Sequence, residues 1–330
     1  MNILLVACFF LCNTCTCQFN HTAKAKFDDE VYISTKDTRL FAHLRGSDSL
    51  APVLLYLHGG PGSPLGVPIL KAYAGPQLEE HVIMVYLHQR GIMKSSRVPD
   101  STHTIDQYVR DVSTVVGYLQ QRFKNRHIYL LGHSWGGLLG LKYLLEYPGH
   151  IDKIITVCTA VNIEAMITGR MDMILEWARA TDNEDIIAGI TRLQDKSIQD
   201  DPWEFRVLEH WMTQAYGGWH RNLDIHRINQ AIDYEDHFPE WLKDQKHIED
   251  LMIPEILGMD LTSELETLST PLLSIAGRHD SSVPWMLIKE EFDHYGGPKT
   301  FQVFDHSHHV VFIDEEHLFV ETVLNFLQTP

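Results

Sequence analysis

The chain has 330 residues, 44% of them hydrophobic, and a formal net charge of −17. That is enough apolar material for one large core, or for a core with an inserted domain. No basic cluster accompanies the acidic balance, which argues against a nucleic-acid or anionic-membrane partner and favours neutral or cationic ligands.

Residues 3–11 (ILLVACFFL) form an apolar run far shorter than the ~20 residues that span a bilayer. Small residues at Cys15 and Cys17 follow, just ahead of Gln18. This is the pattern of a signal peptide over residues 1–17, although its start carries no Lys or Arg, and it predicts a secreted or periplasmic mature chain. Leu5-Val6-Ala7-Cys8 is similar to a lipoprotein box, so a lipid anchor is the alternative. Cys8, Cys12, Cys15 and Cys17 would leave with the leader. Cys158 then remains without a disulfide partner, in an apolar run that predicts a buried thiol. Nothing later is apolar enough to predict a membrane-spanning segment. Asn20-His21-Thr22 is a glycosylation sequon.

A strand pair is predicted over residues 31–35 and 40–44, around the turn Lys36-Asp37-Thr38. Residues 53–57 (VLLYL) are a continuous apolar run, as expected of a strand covered on both faces, and end in His58-Gly59-Gly60-Pro61-Gly62. Such a loop either brings backbone N–H groups close to a ligand or simply turns the chain. Residues 82–87 form another apolar run, leading into His88-Gln89-Arg90-Gly91. A helix follows, with Ile105, Tyr108, Val109, Val112, Val115, Val116, Leu119 and Phe123 at helical spacing. Arg90, with five donors, is expected to tie these loops together.

Residues 128–131 predict a strand that runs into Gly132-His133-Ser134-Trp135-Gly136, with a helix over 138–147. A serine at a sharp strand-to-helix turn needs glycine two positions to either side, because the chain packs on itself there. On its own a G-x-S-x-G stretch often marks no more than a glycine-rich turn; here it has the strand and helix the motif requires. A further strand over 151–158 completes a β/α alternation, which predicts an α/β fold with a mostly parallel sheet flanked by helices.

HGGPG at 58–62, HQRGIMKS at 88–95, GHSWGG at 132–137, GRHDSSVP at 277–284 and the late HSHH together resemble the α/β-hydrolase superfamily, nearest the prolyl iminopeptidase-type serine hydrolases. The resemblance spans nearly all of the mature chain and implies an α/β-hydrolase fold with a helical cap insertion. It divides the chain into a first core part (18–160), a cap (161–268) and a second core part (269–330). It also implies a catalytic triad in the chain order Ser, Asp, His, with Ser134 as nucleophile. Asp280 follows a predicted strand over 271–276, so it stands on a strand-end loop as the orienting acid, or it caps the next helix. Three histidines follow the last predicted strand (300–304). Against the family pattern S-G-H-x-x-x-x-x-E, His309 falls on the histidine and Glu315 on the trailing acid, while His308 stands where relatives carry a small residue. The oxyanion hole implied is the backbone N–H of Trp135 and of Gly60. In the HQRG segment, His88 stands where the family has Asp, and Met93 replaces a glycine.

Within 161–268 the pattern turns helical, at 163–180, 184–193, 204–216 and 225–232. Trp177, Trp203, Trp211, Trp219 and Trp241, with Met171, Met173 and Met212, would either roof an apolar pocket or merely pack the helices. Glu176, Glu204 and Glu209 are candidates for holding a substrate's α-amine, as glutamates do in the iminopeptidases, although the E-N-H-Y-F-like motif of those enzymes does not occur. The candidate substrate contacts are Glu176, Trp177, Glu204 and Trp211. The expected activity is acyl-enzyme hydrolysis of a small peptide, amide or ester, without cofactor or metal, by an aminopeptidase-like enzyme. A carboxylesterase or amidase is the alternative. A metal-dependent hydrolase built on His279, Asp280, His306, His308 and His309 matches no standard zinc spacing. A binding protein that keeps a dead hydrolase fold would not need all these residue types.

Overall fold

The structure, a computed structural model, describes residues 27–198, 200–201, 204–217, 220, 223–231 and 238–329. The expected leader, the sequon, Trp203 and Trp219 lie outside the described residues, as does the side chain of Trp241.

Eight strands form one sheet in the order β1-β2-β4-β3-β5-β6-β7-β8, where β1 is Phe27–Ser34, β2 Arg39–Gly46, β3 Val53–Leu57, β4 Ile83–Leu87, β5 Ile128–His133, β6 Lys153–Val157, β7 Leu272–Gly277 and β8 Lys299–Phe304. β1 and β2 pair antiparallel and β2 meets β4 antiparallel; from β4 to β8 the sheet is parallel. The strands from β3 to β7 are buried at every residue, which is why they are continuous apolar runs rather than alternations.

The helices are α1 Gly66–Ala72, α2 Gly75–Leu78, α3 Ile105–Arg122, α4 Trp135–Glu146, α5 Ile163–Ala180, α6 Glu184–Gln194, α7 Val207–Tyr216, α8 Ile225–Ala231, α9 Phe238–Ile256, α10 Trp285–Asp293, α11 Val311–Asp314 and α12 Glu316–Gln328. Side chains alternate across the sheet. Val53, Leu55 and Leu57 pack toward α3 and α4, and Leu54 and Tyr56 toward α1, α11 and α12. α3 opens on Thr104, whose side chain accepts from Gln107 N–H. α4 begins at Trp135, three residues earlier than its sequence predicts. Gly136 and Gly137 do not break the helix; they let it press against the sheet.

The chain leaves the sheet after β6 for α5 to α9 and returns at β7. α9, 19 residues long, was not expected from the sequence. Its Pro254 reads as a breaker but sits near the helix end, where the lost hydrogen bond matters less. α10 is the helix that the alternative reading of Asp280 places after Pro284. Exit and return are stitched together: Asn162 bridges Asp260, Leu261 N–H donates to the Val161 carbonyl, and Ile163 N–H to that of Met259. No helix among the described residues is long and apolar enough to cross a membrane.

Candidate active site

β5 delivers Ser134 to the carboxyl edge of the sheet at φ 53°, ψ −122°, a conformation that L-residues rarely adopt. The glycines around it are required by contact. A Cβ on Gly132 would lie 2.5 Å from the Gly136 carbonyl oxygen, and one on Gly136 would lie 2.0 Å from that of Leu57. Ser134 occupies the N-cap position of α4, yet its hydroxyl does not cap the helix. Thus the side chain is left for other chemistry.

The register Leu57↔Gly132 sets the ends of β3 and β5 side by side. The His58–Gly62 loop therefore runs next to the serine, and a Cβ on Gly59 would come within 3.4 Å of Ser134 Cβ. Gly60 takes φ +128°, which only glycine tolerates readily. Gln89, at the end of β4, ties the two loops together. Its Nε2 donates to the His58 carbonyl (2.8 Å), and its Oε1 accepts from Trp135 Nε1 (3.0 Å). Next to it, the fully buried Arg90 forks onto Asp111 through two bonds of 2.8 Å and onto Asp37 at 2.9 and 3.0 Å. Removing one partner of such a buried pair costs about 3–5 kcal/mol. The sequence singled out Arg90 but not Gln89, whose position directly after a strand end was the available signal.

At the ends of β7 and β8 two further side chains meet. His309 Nδ1 is 2.8 Å from Asp280 Oδ2, and both residues are buried. The other carboxylate oxygen of Asp280 accepts from Ser282 N–H (2.7 Å) and Val283 N–H (2.9 Å), so both oxygens are engaged. Burial opposes ionisation of Asp280. The facing imidazole and these hydrogen bonds outweigh it and hold the carboxyl below its ordinary value. Asp280 does not cap α10, whose N-cap is Pro284.

The neighbouring histidines are held differently. His308 Nδ1 and backbone N–H both face Asp314 Oδ2, at 3.2 and 2.8 Å. Glu315 accepts from His306 N–H and from the Ser307 hydroxyl (2.6 Å). Two carboxylates therefore pin the loop and leave His309 for Asp280. His133, one residue before the serine, is 2.9 Å from the His309 carbonyl through Nε2, with its ring 4.8 Å from that of His309. Burial lowers its pKa to about 3, so it is neutral and donates this bond. Cys158 is buried, as its apolar run predicts, and its Sγ lies within 4.8 Å of the paired atoms of Asp280 and His309. A metal ion does not fit between those two, because they are already at hydrogen-bond distance and burial pushes the thiol pKa up.

A cavity of about 280 Å³ opens over the serine. Gly60, Ser134 and Trp135 form its floor, and the roof comes from α5 (Ile163, Met166, Ile167, Arg170), α7 (Leu208, Glu209) and α9 (Glu249, Ile253, Ile256). Of the acids considered from the sequence, Glu209 lines it. The four proposed substrate contacts do not. Glu176 faces a separate outer groove beside Pro284 and Met286. Glu204 is drawn away by Lys196 and Arg192. Trp177 packs into the hydrophobic core, and the Trp211 ring lies over Gly189 between α6 and α7. Helical spacing names a face without saying which face turns toward the sheet. Arg170 was missed for the same reason, and Glu249 because the helix that carries it, α9, was not read from the sequence.

A family profile described as alpha/beta hydrolase fold matches residues 52–316. The chain is 26% identical over 309 residues to the probable aminopeptidase YbaC of Bacillus subtilis (strain 168), covering 88% of this chain and 93% of that one. It is 26% identical over 299 residues to a proline iminopeptidase of Heyndrickxia coagulans, covering 84% and 91%. Its fold is similar to the crystal structure of a proline iminopeptidase from Mycobacterium smegmatis, with a TM-score of 0.68 at 17% identity, over 91% of this chain and 97% of that one.

Proposed function

The chain belongs to the alpha/beta hydrolase fold family, and on that premise we propose that it is a serine hydrolase, aminopeptidase-like, acting on short peptides. The observation that carries this reading is Ser134 at φ 53° on its strand-to-helix turn, with the buried Asp280–His309 pair held beside that turn by His133. His309 takes the Ser134 proton as the hydroxyl attacks the scissile carbonyl, and then gives it to the leaving amine. Asp280 keeps Nδ1 protonated, so Nε2 is the free base, and stabilises the imidazolium that forms. The N–H groups of Trp135 and Gly60 receive the oxyanion. Water, with its proton taken by His309, then releases the acid and restores the serine.

Peptide rather than ester chemistry is favoured by Glu209 and Glu249 in the roof, two acids able to receive a free α-amine. The named relatives, an aminopeptidase and an iminopeptidase, point the same way. Export of the mature chain belongs to the proposal as well, resting on the apolar run of residues 3–11. The test is a panel of aminoacyl arylamides, prolyl included, beside p-nitrophenyl esters, with a fluorophosphonate probe. Labelling that disappears in Ser134→Ala and faster turnover of arylamides with a free amine support the reading. Failure of intact Ser134 to label sinks it, and turnover of esters alone leaves the carboxylesterase alternative.

A further inference from the structure

We propose that Arg170 binds the free C-terminal carboxylate of the substrate, making this a hydrolase of dipeptides that splits them, with one water, into two amino acids. This inference rests on the serine-hydrolase reading above. Arg170 projects from the same face of α5 as Ile163, Met166 and Ile167, at i, i+3, i+4 and i+7, and so faces the cavity. Its Nε donates to the Ser282 carbonyl, and Nη2 contacts Met166 Sδ at 3.7 Å. Among the described residues no carboxylate lies within ion-pair distance of it. By contrast Arg206, also in the cavity wall, is paired with Asp250 at 3.1 Å. Glu209 and Asp280 act on this guanidinium only at a distance, while burial opposes its charge; a direct anionic partner would offset that cost, and its planar fork matches a carboxylate.

The charges are also ordered across the cavity. Arg170 is anchored to Ser282, on the loop that carries Asp280 behind His309. His309 delivers its proton to the leaving amine, so the leaving residue lies on that side. Glu249 comes from α9, whose Ile248 packs on Gly62 of the oxyanion loop, on the side of the acyl residue. Glu209 on α7 lines the cavity with both and also shares a small cleft with Arg170, Ser281 and Ser282. An amine held by Glu249 and a carboxylate held by Arg170 would bracket the scissile bond.

The experiment compares a dipeptide, its C-terminal amide and the matching aminoacyl arylamide on the mature chain, in wild type, Arg170→Gln and Arg170→Lys, with Tm as a fold check. A charge-assisted hydrogen bond of about 1.5–3 kcal/mol corresponds to roughly 10–100-fold. Wild type should therefore favour the acid over the amide by about that factor in kcat/KM, mainly through KM. Arg170→Gln should bring the ratio near one, and Arg170→Lys should restore part of it. Equal use of acid and amide by wild type overturns the inference, as does a ratio unmoved by Arg170→Gln, while arylamide turnover keeps the hydrolase reading intact. Failure of wild type on all three substrates overturns both.

Discussion

Glu291 on α10 is buried and holds the junction where the chain leaves the sheet. Its carboxylate accepts from Val161 N–H at 3.0 Å and Asn162 N–H at 2.8 Å. Burial pushes its pKa up from 4.5 to about 7, with Asp260 and Glu290 adding like charge, and the two N–H groups offset this only in part. The sign follows from linkage. A folded pKa above the unfolded one means that the folded state binds the proton more tightly, so the stabilisation is complete below about 4.5 and is lost as pH rises to about 7. The rise corresponds to about 3 kcal/mol at most. Glu291→Gln keeps an oxygen for both N–H groups but cannot ionise. Urea unfolding from pH 4 to pH 8 should show the variant gaining on wild type by up to about 3 kcal/mol, chiefly between pH 4.5 and 7. A stability difference that stays constant across that range, or shrinks as pH rises, refutes the reasoning.

His309→Ala should lower turnover by about 10⁴-fold or more, whereas His308→Ala should keep it; both should lose stability, because Asp280 and Asp314 are each left buried beside a missing partner. Calorimetry and kcat together check this, and the reverse pattern would move the base to His308. Gln89→Leu strips the Trp135 indole and the His58 carbonyl of their shared partner. It should lower kcat roughly 10–100-fold while KM changes little, read by steady-state kinetics. Gly136→Ala places a methyl 2.0 Å from the Leu57 oxygen, between two rigid backbones. It should cost more than about 3 kcal/mol and yield little soluble protein. A normal melting curve would contradict the contact.

The strands, the elbow and the glycine loops were legible from residues 53–62 and 128–137 because their causes are local. A strand covered on both faces must be apolar throughout, and a turn that presses backbone on backbone admits only hydrogen at Gly132 and Gly136. The choice of His309 over His308 was available only by resemblance. In the structure it corresponds to two carboxylates, Asp314 and Asp280, that each take one imidazole. The roof is different in kind. Glu176 and Glu204 look as suitable in the chain as Glu209, because helical periodicity names a face without saying what the face meets. Rotation of α5, α7 and α9 about their own axes, set by long-range packing over the sheet, decides which charges reach the serine. Gln89 and Glu291 likewise act through partners far away in sequence, on neighbouring strands and at the cap junction, and only the assembled tertiary structure brings those partners within 3 Å.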